Sequence, residues 1–334
     1  FELRKDWEDR KIKYLNGDLL SIISATDFLT ACTLLSTYKK GGTVSCKKKD
    51  VLNLTLDEYK MYADSLTSGF VEAEKLLQEE RIFSAKDLPY STQFIPLAVL
   101  CTLLADGNQI KVANVKNKIK QWYWCGVFGE MYGGANETRY ANDLEDVIDE
   151  VFQRPNPART INSAFFSATR LLTLQTRLSA AYKGVIALLY KEKCRDFMND
   201  TTIDIVNSML ESPDIHHIFP EAYCVKMGIE RKYYNSIVNK TPILPATNRS
   251  IGGRAPSEYT KNILKKVDGL TEDVLKERIE SHCINYEALV SDDFHTYLID
   301  RAKKILGLIE KAMGKPVSDR DADTTVEQFG EKLV

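Results

Sequence analysis

Histidine is scarce in this sequence, with four in 334 residues. Other absences narrow the possibilities first. No run of about 18 apolar residues occurs, so no membrane-spanning helix is expected. The opening "FELRKDWEDRK" has neither an initial methionine nor the apolar core of a signal peptide. It reads as the start of a piece of a longer protein. Seven cysteines are scattered from Cys32 to Cys283 with no CxxC or CxxxH spacing, which argues against a zinc finger. Most lie in apolar helical stretches, as reduced core thiols do, and a cytoplasmic protein is expected. There is no P-loop, internal repeat or low-complexity segment. A net charge of −2 excludes a protein coated in basic residues, though not a local basic patch.

The length allows two or three domains with a sizeable core. Up to about residue 200 the pattern is helical. "DLLSIISATDFLTACTLLSTY" spaces its apolar residues at three and four and runs into the breaker "KKGG". "TLDEYKMYADSLTSGFVEAEKLLQEE" opens on a Thr–Leu–Asp–Glu cap. "STQFIPLAVLCTLLAD" is apolar on most sides and reads as a central helix that Pro96 kinks or opens. "VANVKNKIKQWYWCGVFGEMY" puts Val112, Val115, Ile119, Trp122 and Tyr123 on one stripe, with Lys111, Lys116, Lys118 and Lys120 mostly elsewhere. Lysines among aromatics suit a nucleic-acid surface. Helical spacing alone explains them as a core stripe backed by a solvated basic face, and that reading is preferred. "SAFFSATRLLTLQTRLSAAYKGVIALLYKEK" reads as one or two further buried helices.

Near Ser212 the pattern changes. "DIHHIF" and "SIVNKTPIL" are short, rich in Ile and Val, and bounded by Pro, Asn and Gly, as strands are. The connection between them is long for a hairpin. A glycine loop, "NRSIGGRAPSEY", then enters a helix with Pro256 near its first position. Further helices are expected in "TEDVLKERIESHC" and "DDFHTYLIDRAKKILGLIEKAMG", with a polar, loosely held tail from Lys315. Residues 1–200 and 201–334 are therefore read as two domains. The expected fold is mainly α, a helical domain followed by a small α+β unit wrapped by helices.

Two of the four histidines are adjacent, in "DIHHIFP". Side chains alternate along a strand, so Asp214, His216 and Ile218 share one face and His217 and Phe219 the other. Taken alone, the pair is better read as one satisfied core histidine and one exposed one. Residues 214–270 carry nine basic and five acidic side chains, an excess that suits an anionic ligand. Gly252 and Gly253 allow close backbone approach to a phosphate, with Lys240, Arg249 and Arg254 beside them. His282 and His295 lack a motif and are read as structural, and Cys224 as packing.

The order strand, loop, strand, loop, helix, with "DIHHIFP" followed by "SIVNKTPILPATNRSIGGRAPSEY", resembles the HNH nucleases, a ββα-metal or His-Me finger family. The resemblance implies His217 as the general base and His216 as the first metal ligand. It implies Asn239 as the asparagine that braces the loop and orients the base, and Asn248 as the second metal ligand. "DLPYSTQFIPLAVL", "WYWCGVFGEMYGGANETRYANDLEDV" and "RLSAAYKGVIALL" are similar to the helical region of GmrSD-type restriction proteins. In those a ParB-like nucleotide-hydrolysing domain precedes the helices and a C-terminal HNH domain. By that resemblance residues 1–200 are the end of the nucleotide-hydrolysing region, whose motifs are absent from this chain. The implied activity is metal-dependent hydrolysis or nicking of DNA in bacterial antiviral defence, leaving a 5′-phosphate and a 3′-hydroxyl.

The chemistry suits these residue types. A neutral imidazole takes a proton from water near neutral pH. Asn248 stands where many relatives have histidine, and its amide oxygen moves preference toward Mg²⁺ or Mn²⁺. Two neutral ligands hold such a cation well only when phosphate oxygens complete its shell. Asp214 is expected to accept the other N–H of the His216 ring. The lack of a carboxylate ligand leaves an alternative, a nucleic-acid-binding or sensing module with a degenerate nuclease site.

Overall fold

In the computed structural model, which describes residues 1–152, 158–203 and 213–334, helices begin where their caps place them. Thr55 and Glu58 form a reciprocal capping box at the start of the Leu56–Glu79 helix. Ser24 and Asp27 form another before Ala25–Lys40. That second box divides the run expected from Asp18: Leu20–Ile22 is a separate 3-10 turn, because Ser24 at the cap is extended. The helix ends at Gly41, whose φ of 71° strains any residue with a Cβ.

Residues Phe1–Ala164 form one compact unit. Its centre is the helix Phe94–Ala105, with ten of 12 residues buried. Leu56–Glu79, Ala25–Lys40 and Glu137–Val151 pack around it. Pro96 opens this helix rather than kinking it, since in the first turn its missing N–H has no partner to lose. Gly69 permits the close crossing of Leu56–Glu79: a Cβ there would lie 2.5 Å from the Ala98 carbonyl oxygen. In the helix Ala113–Phe128 the stripe Val115, Ile119, Trp122 and Tyr123 is buried, but Val112 precedes the helix and is 46% exposed. The lysines of this helix meet carboxylates. Lys116 and Lys120 pair with Glu79, Lys120 also with Glu80, and Lys118 with Glu150.

Residues Phe165–Val334 form the second unit. This division falls earlier than the expected 200/201 boundary, and the change of pattern near Ser212 lies outside the described residues. Here a strand β1, Asp214–His217, pairs antiparallel with β2, Lys240–Ile243, so that His216 faces Thr241 and His217 faces Lys240. Pro242 is tolerated because both strands of a two-stranded sheet are edges. Both strands are shorter than expected. Ile237–Asn239 is a 3-10 turn leading into β2, and the connection holds the short helices Glu221–Lys226 and Arg231–Tyr234. After β2 the chain forms two helices, Pro245–Ile251 and Pro256–Lys266, each with proline in its first turn. Thus Asn248, expected in a loop, is helical. The protein is mainly α-helical with this small α+β part.

The helix Phe294–Met313 supports the hairpin through a fully buried cation. Arg301 donates to the carbonyls of His282 at 3.1 Å and Lys240 at 2.9 Å, and also to that of Val238. The tail is not loose. Asp323–Phe329 is a helix, Leu333 is fully buried, and the Leu333 N–H donates to the Arg320 carbonyl at 2.8 Å. Its anchors Val317, Phe329 and Leu333 are buried but too widely spaced in sequence to show a period. Among the described residues no helix is long and apolar enough to cross a membrane.

Candidate functional site

Asp214 and His216 share one face of β1. His216 is 6% exposed, and its Nε2 has no hydrogen-bond partner among the described residues. Burial pushes its pKa down to about 4, against the opposing pull of the Asn248 side chain. The ring is therefore neutral near pH 7 and keeps a lone pair. Asn248 is brought to it by the Pro245–Ile251 helix, which packs on β1. Buried Asp196 fastens the start of that helix, accepting from the Leu244 N–H at 2.9 Å and the Thr247 hydroxyl at 2.6 Å.

Asp214 makes no hydrogen bond to His216. Its carboxylate instead accepts from Asn248 Nδ2 at 3.1 Å. The expected partner is thus replaced by the neighbouring one, because the helix at 245–251 delivers an amide donor to the same face. A carboxylate only accepts, so this bond fixes the orientation of the amide and leaves Asn248 Oδ1 as the atom that interacts with the His216 ring. An imidazole nitrogen and an amide oxygen are donor types that a divalent cation accepts, although His216 Nε2 is closed to solvent in this structure. No group of three or more His, Cys, Asp or Glu is placed to hold a metal ion among the described residues.

His217 lies on the opposite face. It is half-buried, with Nε2 3.3 Å from Asn235 Oδ1 and its ring edge-on to Tyr234. Burial lowers its pKa, Asn235 and Glu221 oppose that, and the Lys240 charge adds to it. Lys240 itself, expected at a phosphate, is buried and donates to the Gln175 carbonyl at 2.7 Å. Burial, then the nearby Arg177 charge, push its pKa down to about 8. Arg254 is likewise engaged, donating to the Ser250 and Ile251 carbonyls at the end of the Pro245–Ile251 helix. Arg249 is exposed. Arg177 and Arg231, which no motif singled out, are exposed with charges that reach Lys240, and neither forms an ion pair among the described residues.

Asn239 ties the hairpin together. Fully buried, it accepts from the Phe219 N–H and donates to the Phe219 and Tyr234 carbonyls, each at 2.9 Å. It therefore fixes the turn two residues beyond His217. His282 is buried and bonded at both nitrogens, to the Thr241 hydroxyl at 2.6 Å and the Arg195 carbonyl at 2.7 Å. His295 is exposed. Cys224 is buried, with its thiol on the Phe219 carbonyl and its pKa raised by burial to about 12.

No family model matches the chain. An uncharacterized protein of Methanocaldococcus jannaschii is 34% identical over 181 residues, which cover 51% of this chain and 30% of that relative. The chain thus spans less than a third of the length of the curated relative it matches.

Proposed function

We propose that the chain is a metal-dependent endonuclease of the HNH type, hydrolysing or nicking DNA as part of a GmrSD-like restriction or anti-phage protein. The observation that carries this reading is the arrangement around β1. Asn239 clamps the turn after His217, while His216 presents an unpartnered nitrogen beside Asn248. Most buried polar side-chain atoms are paired, and His216 Nε2 is one of several among the described residues that are not, which supports the reading without requiring it.

In this reading His216 Nε2 and Asn248 Oδ1 hold Mg²⁺ or Mn²⁺, and Asp214 keeps the amide turned the right way. A bound cation would stabilise charge on the scissile phosphate and the departing oxygen. His217 takes a proton from the attacking water, a task open to it because burial and the Lys240 charge favour its neutral form. Exposed Arg177, Arg231 and Arg249 would contact phosphates, whereas buried Lys240 and exposed Arg254 are already engaged by backbone carbonyls.

Supercoiled plasmid incubated with Mg²⁺ or Mn²⁺ tests the proposal. Wild-type protein should nick it and His217→Ala should not. Equal inactivity of both, beside an intact nucleotide-hydrolysing partner region, would favour the degenerate binding module instead.

A further inference from the structure

Two side-chain amides in the second unit, Gln175 and Asn235, form a directed chain that ends on His217. Gln175 Nε2 donates to the Leu172 carbonyl at 3.3 Å. Asn235 Nδ2 donates to Gln175 Oε1 at 3.4 Å. Asn235 Oδ1 lies 3.3 Å from His217 Nε2. The anchor at Leu172 is a backbone carbonyl, which can only accept. Turning Gln175 over would set its oxygen against that carbonyl. With Gln175 fixed, turning Asn235 over would set two NH₂ or two oxygen groups face to face. Each amide therefore has one satisfied orientation, and Asn235 offers His217 an acceptor.

We infer that Asn235 and Gln175 are positioning residues that hold neutral His217 as the Nε2–H tautomer, leaving Nδ1 as the atom that accepts a proton. An imidazole offers one bare nitrogen when neutral, and which one is set by the hydrogen bond at the other. Without the relay both tautomers are populated, and only part of the protein presents a base at a given position. The Lys240 ammonium, on the Gln175 backbone carbonyl at 2.7 Å, holds the same segment from the other side and offers no acceptor that competes for the ring. The tautomer follows from geometry alone. The role of Nδ1 as the base rests on the nuclease reading proposed above.

The relay is tested on the whole chain labelled with ¹⁵N-histidine, free of metal and DNA at neutral pH. Four histidines make the ring signals assignable, with His217→Gln identifying its own. The expected result is a protonated Nε2 and a bare Nδ1 for His217. Asn235→Ala and Gln175→Leu should each give a mixture of tautomers. Asn235→Asp should keep the Nε2–H form, since a carboxylate oxygen still accepts at the ring although the N–H that met Gln175 is lost. In plasmid nicking, Asn235→Ala should lower kcat a few-fold with KM unchanged, since a tautomer mixture still presents the base in part of the protein. An Nδ1–H form or a tautomer mixture in the wild type would overturn the inference. So would a single Nε2–H form that survives Asn235→Ala. A fixed Nε2–H tautomer in a protein that nicks no DNA would support the relay and count against the nuclease reading.

Discussion

On one face of β1, His216 is 6% exposed and one of its nitrogens has no partner. On the other face, the half-buried His217 has its Nε2 against Asn235, which is itself held by Gln175. The two rings are the same chemical group one residue apart, and their surroundings differ. A dry ring with a bare lone pair is suited to a ligand that arrives from outside. A ring whose tautomer is set by a fixed acceptor is suited to moving one proton. The hairpin makes this division possible, because alternation turns adjacent side chains to different neighbours.

The largest effect that separates the faces is expected at His217. His217→Ala should lower nicking about 10²–10⁴-fold, the usual worth of a positioned general base. Next comes Asp214. Asp214→Ala frees the Asn248 amide and should weaken Mn²⁺ binding in the presence of DNA about 10–100-fold. Unchanged binding would show that Asn248 needs no such orientation.

A smaller effect concerns the histidine beneath the His216 face. Burial holds the pKa of His282 down at about 3. A depressed histidine contributes stability that is complete above its unfolded value of about 6.5 and lost as pH falls toward the folded value. The urea midpoint of the second unit should therefore drop as pH falls from about 6.5 toward 3. His282→Gln should flatten that slope, and an unaltered slope would show that other groups set it.

The smallest effect contrasts the two sets of cations. Lys116 and Lys120 already sit on Glu79, so Lys116→Gln should leave DNA affinity unchanged and cost less than about 0.5 kcal/mol of stability. Arg177→Gln and Arg231→Gln should each weaken DNA binding and reduce its salt slope by about 1. Equal effects from both sets would place the DNA surface elsewhere.

Much of the fold was legible because its signals are local. The Thr55 box, the opening role of Pro96 and the buried stripe through Trp122 depend on residues within one or two turns. The two strands were legible as short runs rich in Ile and Val, while their pairing appears only in the structure. Of the candidate site, the sequence marked His216, His217, Asn239 and Asn248, and only by the resemblance of their motif. The helix 245–251 was missed because seven residues are too few to show a period, and with it went the true partner of Asp214. Asn235 and Gln175 carry no local signal either. Their use depends on two loops meeting 60 residues apart in sequence. Lys240 and Arg254 looked available from charge alone, whereas the carbonyls that engage them appear only in three dimensions.

The division of labour between the two rings is tested most directly by the affinity for Mn²⁺, measured with a short DNA duplex present, for wild type, His216→Ala and His217→Ala. His216→Ala should lose most of the binding, and His217→Ala should bind as wild type does while failing to cut. Equal loss in both variants, or full binding by His216→Ala, would contradict the separate roles of the two faces.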